Sequence, residues 1–217
     1  MWAALNDLIQ RIITLDKWEQ RSNLGERVGS LNLPKGSKVL DFGCGTGLFA
    51  RAFTKMGLNY YGYDIDNRLV SYARRLYRNC QFTASKEQLR KEAPFDLILA
   101  NCCFHHIDNA TLCEELIGLK RILSENGTFM MIDILLSEND PSLFRKLFRK
   151  LELGTHVRVI DDYRRILEQH FSIIKTDIVR SYLFSIKNNP IYNDLAVFEC
   201  KAILSGWEIG NVGRGKG

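Results

Sequence analysis

No stretch of this chain is long and apolar enough to cross a bilayer, which takes roughly 20 consecutive apolar residues. The amino terminus also lacks the apolar core of a secretion signal, because Asn6, Asp7, Gln10 and Arg11 interrupt it. Six cysteines, at 44, 80, 102, 103, 113 and 200, form no C-x-x-C pair and no Cys/His set with zinc spacing. Cys102 and Cys103 instead follow the apolar run Leu97-Ile-Leu-Ala100, the setting of buried reduced thiols. Basic residues are not massed in one run, as they often are in nucleic-acid binders. No repeat is visible. These absences predict a soluble, cytoplasmic protein with no metal site, no disulfide framework and no transmembrane segment. Nucleic acid is not the expected partner, and the oligomeric state is left open.

What is present fits one globular domain. Of 217 residues, 46% are hydrophobic and 25% charged, the balance of a chain with a real core. Thirty basic residues against 25 acidic leave +5, a mild lean toward an anionic partner. Helical spacing of Trp2, Leu5, Ile9, Ile12 and Ile13 predicts an amphipathic helix to Trp18, and a second short helix includes Leu24 to Leu31. After Pro34-Lys-Gly36 the chain alternates strand and helix. Strands are predicted at 38–42, 59–64, 80–84, 95–101 and 127–133, with helices at 48–56, 67–77 and 110–123. Gly57 suits a helix C-terminus and Asp66 an N-cap. The rhythm then changes. A helix at 163–169 precedes strands at 171–178 and 196–204, which are expected to pair antiparallel because no full crossover helix joins them. The expected fold is an α/β, Rossmann-like three-layer sandwich. Its sheet is seven-stranded and mostly parallel with an antiparallel C-terminal pair. Residues 1–34 form an N-terminal helical flap, 35–204 the main domain with an inserted helix at about 141–153, and 205–217 a glycine-rich flexible tail.

The chemistry concentrates at Val39-Leu-Asp-Phe-Gly-Cys-Gly-Thr-Gly47. Gly43, Gly45 and Gly47 let the backbone turn sharply and approach a ligand, and a helix start follows. The dinucleotide fingerprint is G-x-G-x-x-G, but here the spacing is G-x-G-x-G and Leu48 takes the third position. Asp41 immediately before the loop would repel a pyrophosphate and tolerate an ammonium or sulfonium. A G-K-[ST] ending of a phosphate-binding loop is absent. The pattern favours a cationic nucleoside.

Four segments together resemble the class I S-adenosylmethionine-dependent methyltransferases, small-molecule type. They are Asp41-Phe-Gly-Cys-Gly-Thr-Gly47, Tyr61-Gly-Tyr-Asp-Ile-Asp66, Phe95-Asp-Leu-Ile-Leu-Ala-Asn-Cys-Cys-Phe-His-His-Ile107 and Leu119-Lys-Arg-Ile-Leu-Ser-Glu-Asn-Gly-Thr-Phe129. Their order and spacing hold from about residue 37 to 204. The resemblance implies S-adenosyl-L-methionine as cofactor and S-adenosyl-L-homocysteine as product. It implies that Gly43 to Leu48, with Cys44 among them, wrap the methionine end, and that Asp64 takes the ribose hydroxyls. Ile65 would lie on the adenine face, and Asn101 would meet the methionyl group through its backbone. The family often has an acid after the third strand for the adenine amine; here the stretch reads Ala84-Ser-Lys-Glu-Gln88, and the role passes to Ser85 or a neighbour.

Methyl transfer from a sulfonium is an in-line displacement that needs mostly position and a dry pocket, with a base only where the acceptor must lose a proton. His105 and His106 are the candidate bases, since they follow the fourth strand, at the end of an open α/β sheet where ligands bind. His156 is expected on a solvated connection, and Tyr163 and Tyr182 are candidate orienting groups. The expected acceptor is a small molecule methylated on O or N. The amphipathic, basic-faced segment 141–153 reads first as an ordinary surface helix; a lid, or a contact with an anionic or lipid-tailed acceptor, are the alternatives. Two other functions stay open: an RNA methyltransferase, and a non-catalytic cofactor-binding partner subunit.

Overall fold

The computed structural model describes the backbone of residues 18–136, 156–186 and 189–203, and side chains within 24–136, 156–180 and 194–203. The expected first helix, the inserted helix at 141–153 and the tail at 205–217 lie outside the described residues. The strands are β1 (Lys38–Phe42), β2 (Asn59–Tyr63), β3 (Gln81–Thr83), β4 (Phe95–Asn101), β5 (Leu123–Ile134), β6 (Phe171–Ile186) and β7 (Asn189–Ala202). The helices are α1 (Trp18–Ser30), α2 (Ala50–Lys55), α3 (Asn67–Leu76), α4 (Lys86–Glu92), α5 (Asn109–Ile122) and α6 (Ile160–Leu167). A 3-10 turn, Phe104–His106, follows β4.

All seven strands form one sheet in the order β3-β2-β1-β4-β5-β7-β6. The first five pair parallel, and β7 runs antiparallel to both β5 and β6. This is the expected Rossmann-like sheet with its antiparallel C-terminal pair. Alternate residues of the central strands enter two cores. Val39, Leu97, Leu99, Met130 and Ile132 face α1, α2 and α3, through Leu24, Val28, Phe53, Val70 and Ala73. Leu40, Ile98, Ala100, Phe129 and Met131 face the other way, onto Leu89 of α4, Leu112, Leu116 and Leu119 of α5, and Tyr163 and Ile166 of α6. Burial on both faces explains the uninterrupted apolar run of β4, which alternation alone would not produce.

Local signals set the helix ends. Asp66 accepts from the Arg68 N–H at 2.8 Å and caps α3; Asp108 accepts from the Thr111 N–H at 2.8 Å and caps α5. Gly57, at φ +79°, follows the C-cap Met56 of α2 in the left-handed region. The structure adds α4, which the sequence reading left as an unassigned stretch after β3. Its only strong core anchor is Leu89, so hydrophobic periodicity was too short to reveal it. The C-terminal strands are also longer than expected, 171–186 and 189–202 against 171–178 and 196–204, because their mutual pairing continues beyond the end of β5.

Leu99 is fully buried at the centre of the sheet. Leu99→Ala is expected to cost about 2–5 kcal/mol, whereas Ile174→Ala, 60% exposed on the edge strand, is expected within about 0.5 kcal/mol of the parent. Urea denaturation of both variants checks the contrast.

Candidate active site

The strand order reverses between β1 and β4, and the carboxyl ends of these strands frame the crevice where open α/β sheets bind ligands. Two loops meet there. The first is the glycine turn after β1. Its start is tied to the end of β2, because the Tyr63 carbonyl accepts from the N–H groups of Gly43 and Cys44 at 2.8 and 2.9 Å. Its middle is tied to the next residue of that connection, Asp64, whose Oδ2 accepts from the Gly45 N–H at 2.8 Å. Asp64 Oδ1 accepts from the Asp66 N–H at 2.9 Å, so the carboxylate is fixed in orientation while keeping lone pairs for a ligand. Ile65, beside it, is 84% exposed, an apolar side chain with no protein cover.

Gly43 and Gly47 both sit at φ +77°, which L side chains rarely adopt. The space at each is already taken by protein. A Cβ on Gly43 would stand 2.6 Å from the Cys103 Cβ, and one on Gly47 would stand 2.7 Å from the Phe82 ring. These two glycines therefore admit the protein's own side chains against the underside of the turn. Cys44 is likewise buried. Leu48 closes the turn just before α2.

Asp41 lies behind the turn, 2% exposed, with Oδ2 accepting from the Tyr60 hydroxyl at 2.6 Å. Burial raises its pKa to about 7; the Tyr60 hydrogen bond opposes that rise and the Asp64 charge adds to it. A half-neutralised acid in a buried position is a ready partner for a cation.

The second loop is the turn after β4. Cys102 starts it at φ +51° and donates its N–H to the Ile132 carbonyl at 2.8 Å. Asp133, fully buried at the end of β5, then gathers the turn. Its Oδ2 accepts from the N–H groups of Phe104 and His105 at 2.9 and 3.1 Å, and its Oδ1 faces His105 Nδ1 at 2.5 Å. At the other end the buried guanidinium of Arg158 donates to the carbonyls of Phe104, His156 and Ile107 and to Asn109 Oδ1, at 2.7–3.0 Å. A carboxylate on the N–H end and a guanidinium on the carbonyl end complement the dipole of the turn. The two histidines are thereby separated in character. His105 is 3% exposed and committed to Asp133, while His106 is exposed, its ring 4.1 Å from that of His105. Burial of part of the ring and the neighbouring His105 hold the His106 pKa below its ordinary value, and Asp133 partly offsets them.

The remaining predicted residues fall as follows. Asn101 ends β4, its Oδ1 buried with no hydrogen-bond partner among the described residues. Ser85 caps α4, its hydroxyl accepting from the Gln88 N–H at 3.4 Å. His156, expected on a solvated connection, donates its N–H to the His105 carbonyl at 3.1 Å and so borders the turn. Tyr163 is fully buried under Arg158, and burial drives its pKa well up. Tyr182 lies on β6, outside the described side chains. Asp133, Arg158 and Tyr60 were not among the sequence candidates. Asp133 could have been noticed as the one acid closing the apolar run Phe129-Met-Met-Ile; nothing local marks the other two.

A sequence profile described as a methyltransferase domain matches residues 17–175, most of the chain. The chain belongs to the class I S-adenosylmethionine-dependent methyltransferases. This methyltransferase is similar in fold to a magnesium protoporphyrin IX methyltransferase from Synechocystis, solved with S-adenosylhomocysteine bound, at TM-score 0.65 and 15% identity over 89% of this chain and 86% of that one. In sequence it is 32% identical over 107 residues to an uncharacterised protein of Haemophilus influenzae, covering 44% of this chain and 41% of that protein. A 49-residue stretch is 43% identical to a Caenorhabditis elegans protein described as a probable tRNA (uracil-O(2)-)-methyltransferase, covering 23% of this chain and 9% of that one. The matches therefore span less than half the length of either relative. The residues framing the crevice fit S-adenosylmethionine in chemistry: a buried acid behind the glycine turn, a fixed carboxylate with free lone pairs, and an exposed aliphatic side chain. Among the described residues no cluster of ligating side chains could hold a metal ion.

The raised pKa of Asp41 has a consequence for stability. Between pH 4 and about 7 the folded protein holds a proton on Asp41 that the unfolded chain has released. The ligand-free protein is therefore expected to lose stability as pH rises through that window, lowering Tm by several degrees, and Asp41→Asn is expected to flatten the dependence. Calorimetric melting across that pH range checks both.

Proposed function

We propose that this methyltransferase transfers the methyl group of S-adenosylmethionine to an O or N atom of a small-molecule acceptor in the cytoplasm, with His106 as the base. The observation that carries this reading is the turn after β4, which holds an exposed, easily deprotonated histidine at the edge of the crevice by means of Asp133 and Arg158. The cofactor supplies an activated methyl group when bound. The chain's own residues orient it. The turn from Gly43 to Leu48, with the Cys44 backbone, surrounds the methionine end, and Asp41 faces its positive charge. Asp64 takes the ribose hydroxyls, Ile65 covers one adenine face and Ser85 borders the other side of the base. Asn101 meets the methionyl group through its backbone. His106, neutral near pH 7, accepts the proton that an O–H or N–H acceptor releases, a contribution of about 10²–10⁴-fold in such reactions. His105 orients that ring and is too buried to reach an acceptor itself.

A second reading, methylation of RNA, has the short match to the tRNA methyltransferase and the exposed Arg74-Arg75 pair in its favour. Salt-dependent binding of RNA at micromolar concentration or tighter would mark it.

Calorimetric titration with S-adenosylmethionine and with NADH tests the cofactor roles. Micromolar binding of the first alone is expected, weakened about tenfold or more in Asp64→Ala. With an acceptor found by screening for labelled-methyl transfer, His106→Asn is expected to lower kcat by about 100-fold or more while cofactor affinity stays unchanged. A kcat equal to that of the parent would remove His106 from the mechanism.

A further inference from the structure

A cleft of about 640 Å³ opens at the β3 edge of the sheet; of its lining residues, Phe82, packed beneath Gly47, and Gln88, whose N–H Ser85 accepts, also touch elements of the crevice described above. Among the described residues β3 pairs only with β2, so its other side is an open strand edge there. The Phe82 carbonyl faces that open side, where Arg74 Nε and Nη2 donate to it at 2.9 and 2.6 Å. The N–H and C=O of one strand residue point the same way, so the Phe82 N–H also faces the cleft, as a donor.

Three cations line the same space. Arg74 comes from the last turn of α3, Arg78 from just beyond it, and Lys91 from the last turn of α4. Cations in a final turn complement the helix dipole wherever they point, but here two helix ends converge on one cleft. Arg78 is exposed and has no hydrogen bond or ion pair among the described residues. Lys91 pairs with Glu87, which lies on the exposed face of α4, outside the lining. Glu92 is the single acid of the lining, and it stands 4.0 Å from Lys38. Tyr61 and Leu89 border the cleft from one face of the sheet and Phe82 from the other, all three largely buried. A phosphate group fits these cations and the strand donor, and the volume is that of a small-ligand site.

We propose that this cleft binds the phosphate group of a nucleotide, with Arg78 and Lys91 on the phosphate and the Phe82 N–H as an additional donor. The phosphate belongs either to a free nucleoside monophosphate or to an RNA strand; the chemistry of recognition is the same. The site does not depend on which acceptor the methyltransferase uses.

The test uses the full chain saturated with S-adenosylhomocysteine, so that no probe competes for the cofactor crevice. Uridine 5′-monophosphate and an oligouridylate RNA are titrated calorimetrically against the parent, Arg78→Glu, and Lys55→Glu, which makes the same charge change on the exposed face of α2. Binding of at least one probe is expected, weakened about tenfold or more by Arg78→Glu and less than about twofold by Lys55→Glu. Equal S-adenosylhomocysteine affinity in all three proteins shows that the fold and the cofactor crevice are intact. Binding of the mononucleotide identifies a free nucleotide as sufficient; binding of the RNA alone assigns the phosphate to a strand. Failure of both probes to bind, or equal weakening by the two charge reversals, overturns the proposal, the second because only net charge would then be at work.

Discussion

The molecule depends on one constraint at the centre of its sheet. β1 and β4 lie side by side and parallel, yet the chain leaves them toward opposite faces, to α2 on one side and to α5 on the other. No connection then covers the space between their carboxyl ends. The crevice is a gap that topology makes unavoidable, and both functional turns border it because each is the first segment after one of those strands.

Opening a gap leaves backbone groups to be satisfied, and the protein does so with charged side chains. Asp64 holds the glycine turn by the Gly45 N–H, and Asp133 and Arg158 hold the opposite turn from its two ends. Asp133 and Arg158 are buried, and each has several partners, which is what makes that burial tolerable. Asp41 is the exception: with the Tyr60 hydroxyl as its hydrogen-bond donor it keeps a raised pKa. In the proposed site this imperfectly satisfied acid is the group that favours a sulfonium over a pyrophosphate, an electrostatic role that the glycines do not supply.

The glycines themselves are read differently once neighbours are known. From the sequence they look like room for a ligand. In the fold, Gly43 makes room for Cys103 and Gly47 for Phe82, so the protein's own side chains pack against the turn. The motif was legible because left-handed backbone demands glycine at each turn position; the reason for each glycine was not, because Cys103 and Phe82 arrive from strands far away in the chain.

By itself the sequence determined the alternating architecture, the sheet with its antiparallel end, the glycine turn, and the family to which they belong. These rest on local physics: periodicity, caps, turn chemistry and spacing within about ten residues of one another. It also singled out His105 and His106 without separating them. Only tertiary structure did that, by bringing Asp133 from β5 and Arg158 from beyond it onto one short turn, so that His105 is buried and His106 left outside. The cluster of cations at the β3 edge is likewise a product of folding, since α3 and α4 meet there from either side of the strand. Contacts between residues distant in the chain depend on register and packing, and no local pattern encodes which side chain will stand opposite which.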